Sequence, residues 1–183
     1  LFIGTMALAI EGMLLPAISN LHSNRKDKEI TTLVHDAERY VAMVCIPLVA
    51  MTIVWSSEII LVFISKEFLS ASNILKILAL VALVRVLNRP WSVALRGSDR
   101  PDLTSILSIF SSILSIILML ILVPKRIPQL GLENLFGLGG EGAAYAVLIS
   151  EILVGISLRI LCYKYLNILP KANFLVQIFV ATL

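Results

Sequence analysis

The chain has 183 residues, of which 58% are hydrophobic and 15% charged, with a mean hydropathy of +0.96. A soluble core of this length does not need so much apolar surface, so the composition excludes an ordinary water-soluble domain and makes the bilayer the solvent that matters. The formal charge of +3 is modest and no nucleic-acid partner is expected; the two cysteines, Cys45 and Cys162, both sit in apolar runs and give neither a disulfide framework nor metal-ligand spacing.

In chain order, apolar segments cover residues 1–19, 41–64, 74–95, 103–123 and 143–162, with a partial sixth at 174–183. Each of the first five has about 20 residues, the helix length that a hydrocarbon core of about 30 Å requires. The runs are continuous rather than alternating, which predicts helices and not a barrel. The sixth would make only about 15 Å of helix and stop in mid-membrane. The expected fold class is therefore all-α, a polytopic transmembrane helix bundle. The chain opens on Leu1 inside an apolar run and reads as a piece of a longer polytopic protein. Residues 1–19 lack the basic flank and small-residue cleavage site of a signal peptide.

Charge sets the expected orientation. Loops 20–40, 96–102 and 159–173 share one side and hold nine basic residues: Arg25, Lys26, Lys28, Arg39, Arg96, Arg100, Arg159, Lys164 and Lys171. Loops 65–73 and 124–140 hold three, Lys66, Lys125 and Arg126. The positive-inside rule puts the first set in the cytoplasm, as expected for a multi-pass protein of the cytoplasmic membrane. Within residues 20–40, the apolar residues Ile30, Leu33, Val34 and Ala37 recur at helical spacing. They predict either an amphipathic linker helix on the inner membrane surface or a solvated connector helix. Residues 97–102 read as a tight turn, and 124–142 as a glycine-rich outer loop with a short turn near 132–136. Pro16, Pro47 and Pro90 interrupt three spans. They are either bends that suit a transporter or the ordinary proline content of membrane helices.

Polar groups inside the spans carry the functional signal. Arg85, Arg89, Ser92 and Arg96 stand at i, i+4, i+7 and i+11, within about 60° of one another on a helix, with Asn88 beside them. An arginine at bilayer centre costs at least about 2.5–3.5 kcal/mol, so Arg85 has to face water, an anion or a carboxylate. Arg85, Arg89, Asn88 and Ser92 are the candidate wall of a cavity for an anionic head group, since guanidinium forks suit phosphate and carboxylate oxygens. Arg96 is placed to snorkel towards the cytoplasmic surface. Glu11 and Glu151, each with small residues on its own face, are candidates for charge pairing with the arginines or for ion coupling. Thr104, Ser108, Ser111 and Ser115 repeat the same spacing as either a helix-packing face or a hydroxyl-lined wall. Nothing resembles an enzyme site: there is no phosphate-binding loop, no metal-ligand spacing and no activated nucleophile, and no catalytic residue or cofactor is expected.

The order of several short motifs resembles the polysaccharide-biosynthesis flippases of the multidrug/oligosaccharidyl-lipid/polysaccharide exporter superfamily. Residues 63–80 are similar to that family's outer turn and Ile-Leu-rich span, with Ser65 and Lys66 in place of the usual glycine neighbourhood. Gly97, Arg100 and Pro101 resemble its Gly-x-x-Arg-Pro inner turn. Residues 120–124 and 140–144 resemble its Leu-Ile-Pro end and Gly-x-x-Gly-Ala-Ala restart, here unusually far apart, and residues 14–19 resemble the opening of its C-terminal lobe. The resemblance implies that residues 1–164 are five spans of the second lobe of a two-lobed transporter of 12–14 helices. Residues 165–183 would be a connector and the start of a further helix. It also implies flipping of a polyprenyl-linked oligosaccharide by alternating access, with membrane lipids and glycan-assembly glycosyltransferases or a polymerase as partners. A multidrug or cation antiporter of the same superfamily, and a non-transporting scaffold for glycan assembly, are the alternatives.

Overall fold

The computed structural model describes residues 2–125 and 136–168, with side chains from residue 11 onward. Every regular element among the described residues is helical: α1 (Phe2–Ser23), α2 (Asp27–Val54), α3 (Ser56–Phe63), a 3₁₀ turn (Lys66–Ala71), α4 (Ser72–Gly97), α5 (Pro101–Leu122) and α6 (Gly139–Leu166). Four stretches are long and apolar enough to cross a membrane: Asp27–Val54, Lys66–Gly97, Pro101–Leu122 and Gly139–Leu166. Helix α1 covers the first expected span. The partial span at 174–183, Lys171, Arg126 and most of the outer loop lie outside the described residues.

Local chemistry accounts for the ends. Helix α2 begins with Asp27 and Glu29 in its first turn, where carboxylates favour the positive end of the helix dipole. Helix α5 begins with Pro101, whose fixed φ suits a first helical position, followed by Asp102. Helix α6 ends on Asn167 in the left-handed conformation (φ 52°), its N–H donating to the carbonyls of Cys162 and Tyr163.

Two expectations need correction. The segment at 28–40 is not a separate helix on the membrane surface but the first half of α2, which runs unbroken to Val54. Its apolar stripe stays in phase with the span that follows, and Ile30 and Val34 are fully buried against the bundle. At 1.5 Å per residue α2 is about 42 Å long, so its charged end reaches past a hydrocarbon core of about 30 Å. The second correction concerns the breaks. The helices continue through Pro16, Pro47 and Pro90, whereas the span expected at 41–64 is interrupted at Trp55 (φ −97°, ψ 21°), where no proline stands.

Helix α4 is the centre of the bundle, packed against α1, α2 and α6. One core joins Val41, Cys45 and Val49 of α2 to Leu83, Val84 and Leu87 of α4. A second joins Ile18, Ile30, Val34, Trp91, Leu95, Leu158 and Cys162 across α1, α2, α4 and α6. Helix α5 stands at the edge with no fully buried residue, and leans on α6. Where the two converge, a Cβ at Gly142 would lie 2.7 Å from the Leu122 carbonyl oxygen. Close helix approach of this kind needs a residue without a side chain. Gly142→Ala is therefore expected to destabilise the bundle by about 1–3 kcal/mol, read as a lowered Tm in detergent; an unchanged Tm would show that the two helices separate freely there.

Candidate functional site

The arginine stripe of α4 faces inward, towards two carboxylates from neighbouring helices. Arg85 donates from Nε and Nη2 to the same oxygen of Glu151 on α6, at 2.9 and 2.7 Å. Glu11 on α1 serves two arginines at once: Arg89 Nη1 lies 3.0 Å from its Oε2, and Arg96 Nη1 lies 2.5 Å from its Oε1. One turn separates Arg85 from Arg89 and two turns separate Arg89 from Arg96, so one helix face makes all these contacts. Arg96 does not snorkel as expected. Its guanidinium turns back to Glu11, and its Nε and Nη2 are buried.

Between α4, α5 and α6 lies a cavity of about 300 Å³. Arg85, Asn88, Arg89, Ser92 and Glu151 form one side of it, and Thr104, Ser108, Ser111 and Ser112 form the opposite side. The structure thus brings the sequence-predicted residues Arg85, Asn88, Arg89 and Ser92 to one cavity and places Glu151 in it. Glu11 stands behind Arg89, outside the lining. Most of the hydroxyl stripe of α5 is a cavity wall; Ser115, its last member, lies beyond it. The hydroxyls of Thr104, Ser108 and Ser112 donate to carbonyls of their own helix, which leaves their oxygen lone pairs available as acceptors.

Charge within the cavity is compensated. Arg85 is 53% exposed at its side chain while Glu151 is 17% exposed, so the guanidinium is the more solvent-accessible partner of the pair.

Asn88 is not a free lining group. Its Nδ2 donates to the Glu151 carbonyl (3.1 Å), and its Oδ1 accepts from Arg159 Nη1 (3.0 Å). Arg159 also donates to the Gly155 carbonyl (3.0 Å) and to Glu38 Oε1 (2.5 Å). Hydropathy does not foretell this ion pair, because it assigns Glu38 to the loop at 20–40 and leaves Arg159 where the fifth apolar segment (143–162) overlaps the loop counted from 159. Helical phase does carry a signal: Glu38 follows Val34 by four residues and precedes Ala42 by four, so a carboxylate falls on a buried stripe and needs a cation. Both residues are buried, at 6% exposure for Arg159 and 9% for Glu38. The guanidinium also stands 5.0 Å over the ring of Trp91, which meets His35 edge-on at 5.5 Å.

A comparison with known families decides what this arrangement belongs to, for residues 1–121 match the model of the MatE family. The chain belongs to the MatE family. MatE proteins are multi-pass membrane transporters of the multidrug/oligosaccharidyl-lipid/polysaccharide exporter superfamily, and not enzymes. The helical bundle described above is part of such a transporter. The match runs through α5; α6, which supplies Glu151 and Arg159, lies beyond it. The narrower resemblance to polysaccharide flippases rests on the short motifs alone. No curated protein and no solved structure matches this chain.

Proposed function

We propose that this MatE chain works as part of an antiporter that exports small organic cations by alternating access, with Glu151 as the coupling carboxylate and Arg85 as its resting partner. The observation that carries this reading is that the cavity arginines are already held by carboxylates, Arg85 by Glu151 and Arg89 by Glu11. A stripe built to clamp a fixed anion would leave its guanidinium forks open. A carboxylate that can hold an arginine, a proton or a substrate cation, but one at a time, makes the occupants mutually exclusive, and exclusion is what antiport requires. The surplus of basic residues on one side supports an orientation with the turns at 24–26 and 98–100 in the cytoplasm. Residues 1–164 then act as one lobe whose cavity is completed by a second lobe.

A second reading is the flipping of a polyprenyl-linked oligosaccharide. It is favoured by the hydroxyl wall of α5 and by the excess of three arginines (Arg85, Arg89, Arg96) over two glutamates (Glu11, Glu151). Membership of a transporter family weighs against the scaffold reading. The two transport readings separate in a host lacking the intact gene. Antiport predicts new sensitivity to cationic drugs with normal pools of lipid-linked oligosaccharide. Accumulated lipid-linked oligosaccharide with unchanged drug sensitivity would overturn it in favour of flipping.

A further inference from the structure

Outside the cavity, the described part of the protein buries one strong ion pair that the transport reading does not use. Glu38 of α2 and Arg159 of α6 meet in a region where taking two charges out of water costs several kcal/mol for each ion. Helices α2 and α6 each pack on α4, where apolar residues of similar volume would hold them at lower cost, and the best-attested reason to keep such a pair is a register or switch role. The pair is also wired to the cavity. Arg159 directs Nη2 to Glu38 and Nη1 to Asn88, and Asn88 passes the connection to the backbone of Glu151. The main chain of α6 at Glu151, the centre of α4 and the first half of α2 are therefore joined by one unbroken run of hydrogen bonds, and the Glu151 carboxylate is carried by the same turn of α6. Gly155 makes the run possible, for a Cβ there would lie 2.5 Å from Asn88 Oδ1 and 2.9 Å from its Nδ2.

We infer that Arg159 is a positioning residue that couples the charge state of Glu151 in the cavity to the placement of α2 against α6, through Asn88 and Glu38. The inference rests on the reading of the cavity as the transport site. When Glu151 is neutral, Arg85 loses its partner and the Glu151 turn of α6 is free to shift. Asn88 is bonded to the backbone of that turn, so the shift reaches Arg159 and changes its grip on Glu38. A lysine at 159 keeps the positive charge opposite Glu38, but its single ammonium lacks the planar fork that reaches Glu38 and Asn88 together. An alanine at 155 removes no polar group and displaces Asn88 by contact alone.

The test reads α2 and α6 directly. Spin labels are placed at Met43 and Ile156, both exposed, in the intact protein reconstituted in lipid, with the buried Cys45 and Cys162 left in place. Distance distributions are compared for the parent and for Glu151→Gln, which mimics the protonated carboxylate. The expected result is a shift of about 2 Å or more, the scale of helix displacements in switching proteins. Adding Arg159→Lys should abolish the shift, and so should adding Gly155→Ala. An unchanged distance in Glu151→Gln, or the same shift in all backgrounds, would overturn the coupling. Transport measured on the same preparations distinguishes the two levels of the argument. Loss of cation antiport in the unsubstituted protein sinks the proposed function, whereas the distance shift alone decides the relay.

Discussion

Arg85→Ala in the intact protein is expected to reduce transport to background while leaving membrane insertion and expression normal. Two nitrogens of this side chain hold Glu151 in a cavity wall, and the alanine leaves the less exposed partner of the pair without a counter-charge. Removing one member of a buried pair costs about 3–5 kcal/mol, but Arg85 is half exposed and water can reach the site, so the stability loss should be far smaller. The functional loss should be near complete, because an unpartnered Glu151 would hold a proton or a cation permanently and the cycle would stop in one state. The double variant Arg85→Ala with Glu151→Gln restores neutrality and should stay inactive. Activity of the double variant would show that these charges serve only to pair with each other, as the scaffold reading requires. Export into everted vesicles measures both.

Glu11→Ala is expected to have the largest effect on stability. One carboxylate on α1 neutralises Arg89 and Arg96 of α4, so its removal leaves two guanidiniums two turns apart with no anion between them. The three side chains are 22 to 36% exposed, so solvent screening brings the loss below the about 3–5 kcal/mol of a fully buried pair. The Arg96 side of the triad is the more confined, with Nε and Nη2 already buried, so the double variant Glu11→Ala with Arg96→Met should recover much of the stability. Thermal unfolding in detergent measures this. If the double variant is no more stable than the single, the triad is not what fastens α1 to α4.

What is legible in the sequence and what is not differ in physical origin. Helices α4 and α5 are legible because each is a continuous apolar run bounded by strong punctuation, Gly97 closing one and Pro101 opening the next. The arginine stripe is legible because i, i+4, i+7, i+11 spacing survives in any helix that contains it. Helix α2 is misread because a hydropathy window sees only its apolar half. Nothing stops the helix between Tyr40 and Val41, and the polar half buries its own stripe of Ile30, Val34 and Glu38. The break at Trp55 has no glycine or proline to announce it, and it depends on how α3 folds back against α4. The Glu38–Arg159 pair escapes for a related reason. Each residue reads alone as a loop charge, and only the packing of α2, α4 and α6 makes them partners. Helical spacing leaves the role of the α5 hydroxyls open between packing and solvation. The lean of α5 on α6 places Thr104, Ser108, Ser111 and Ser112 at a cavity.

The central claim is that the space between α4, α5 and α6 is a water-filled route for solute, and thiol labelling tests it most directly. Ser108→Cys places a thiol on the hydroxyl wall opposite Arg85, while Cys45 and Cys162 are buried and give little background. With the intact protein in membranes, a membrane-impermeant cationic thiol reagent is predicted to modify the introduced thiol, and an exported organic cation is predicted to slow the reaction. A thiol at position 108 that reacts with lipid-soluble maleimides but with no impermeant reagent from either side would contradict the account, since the space would then be filled by lipid and not by water.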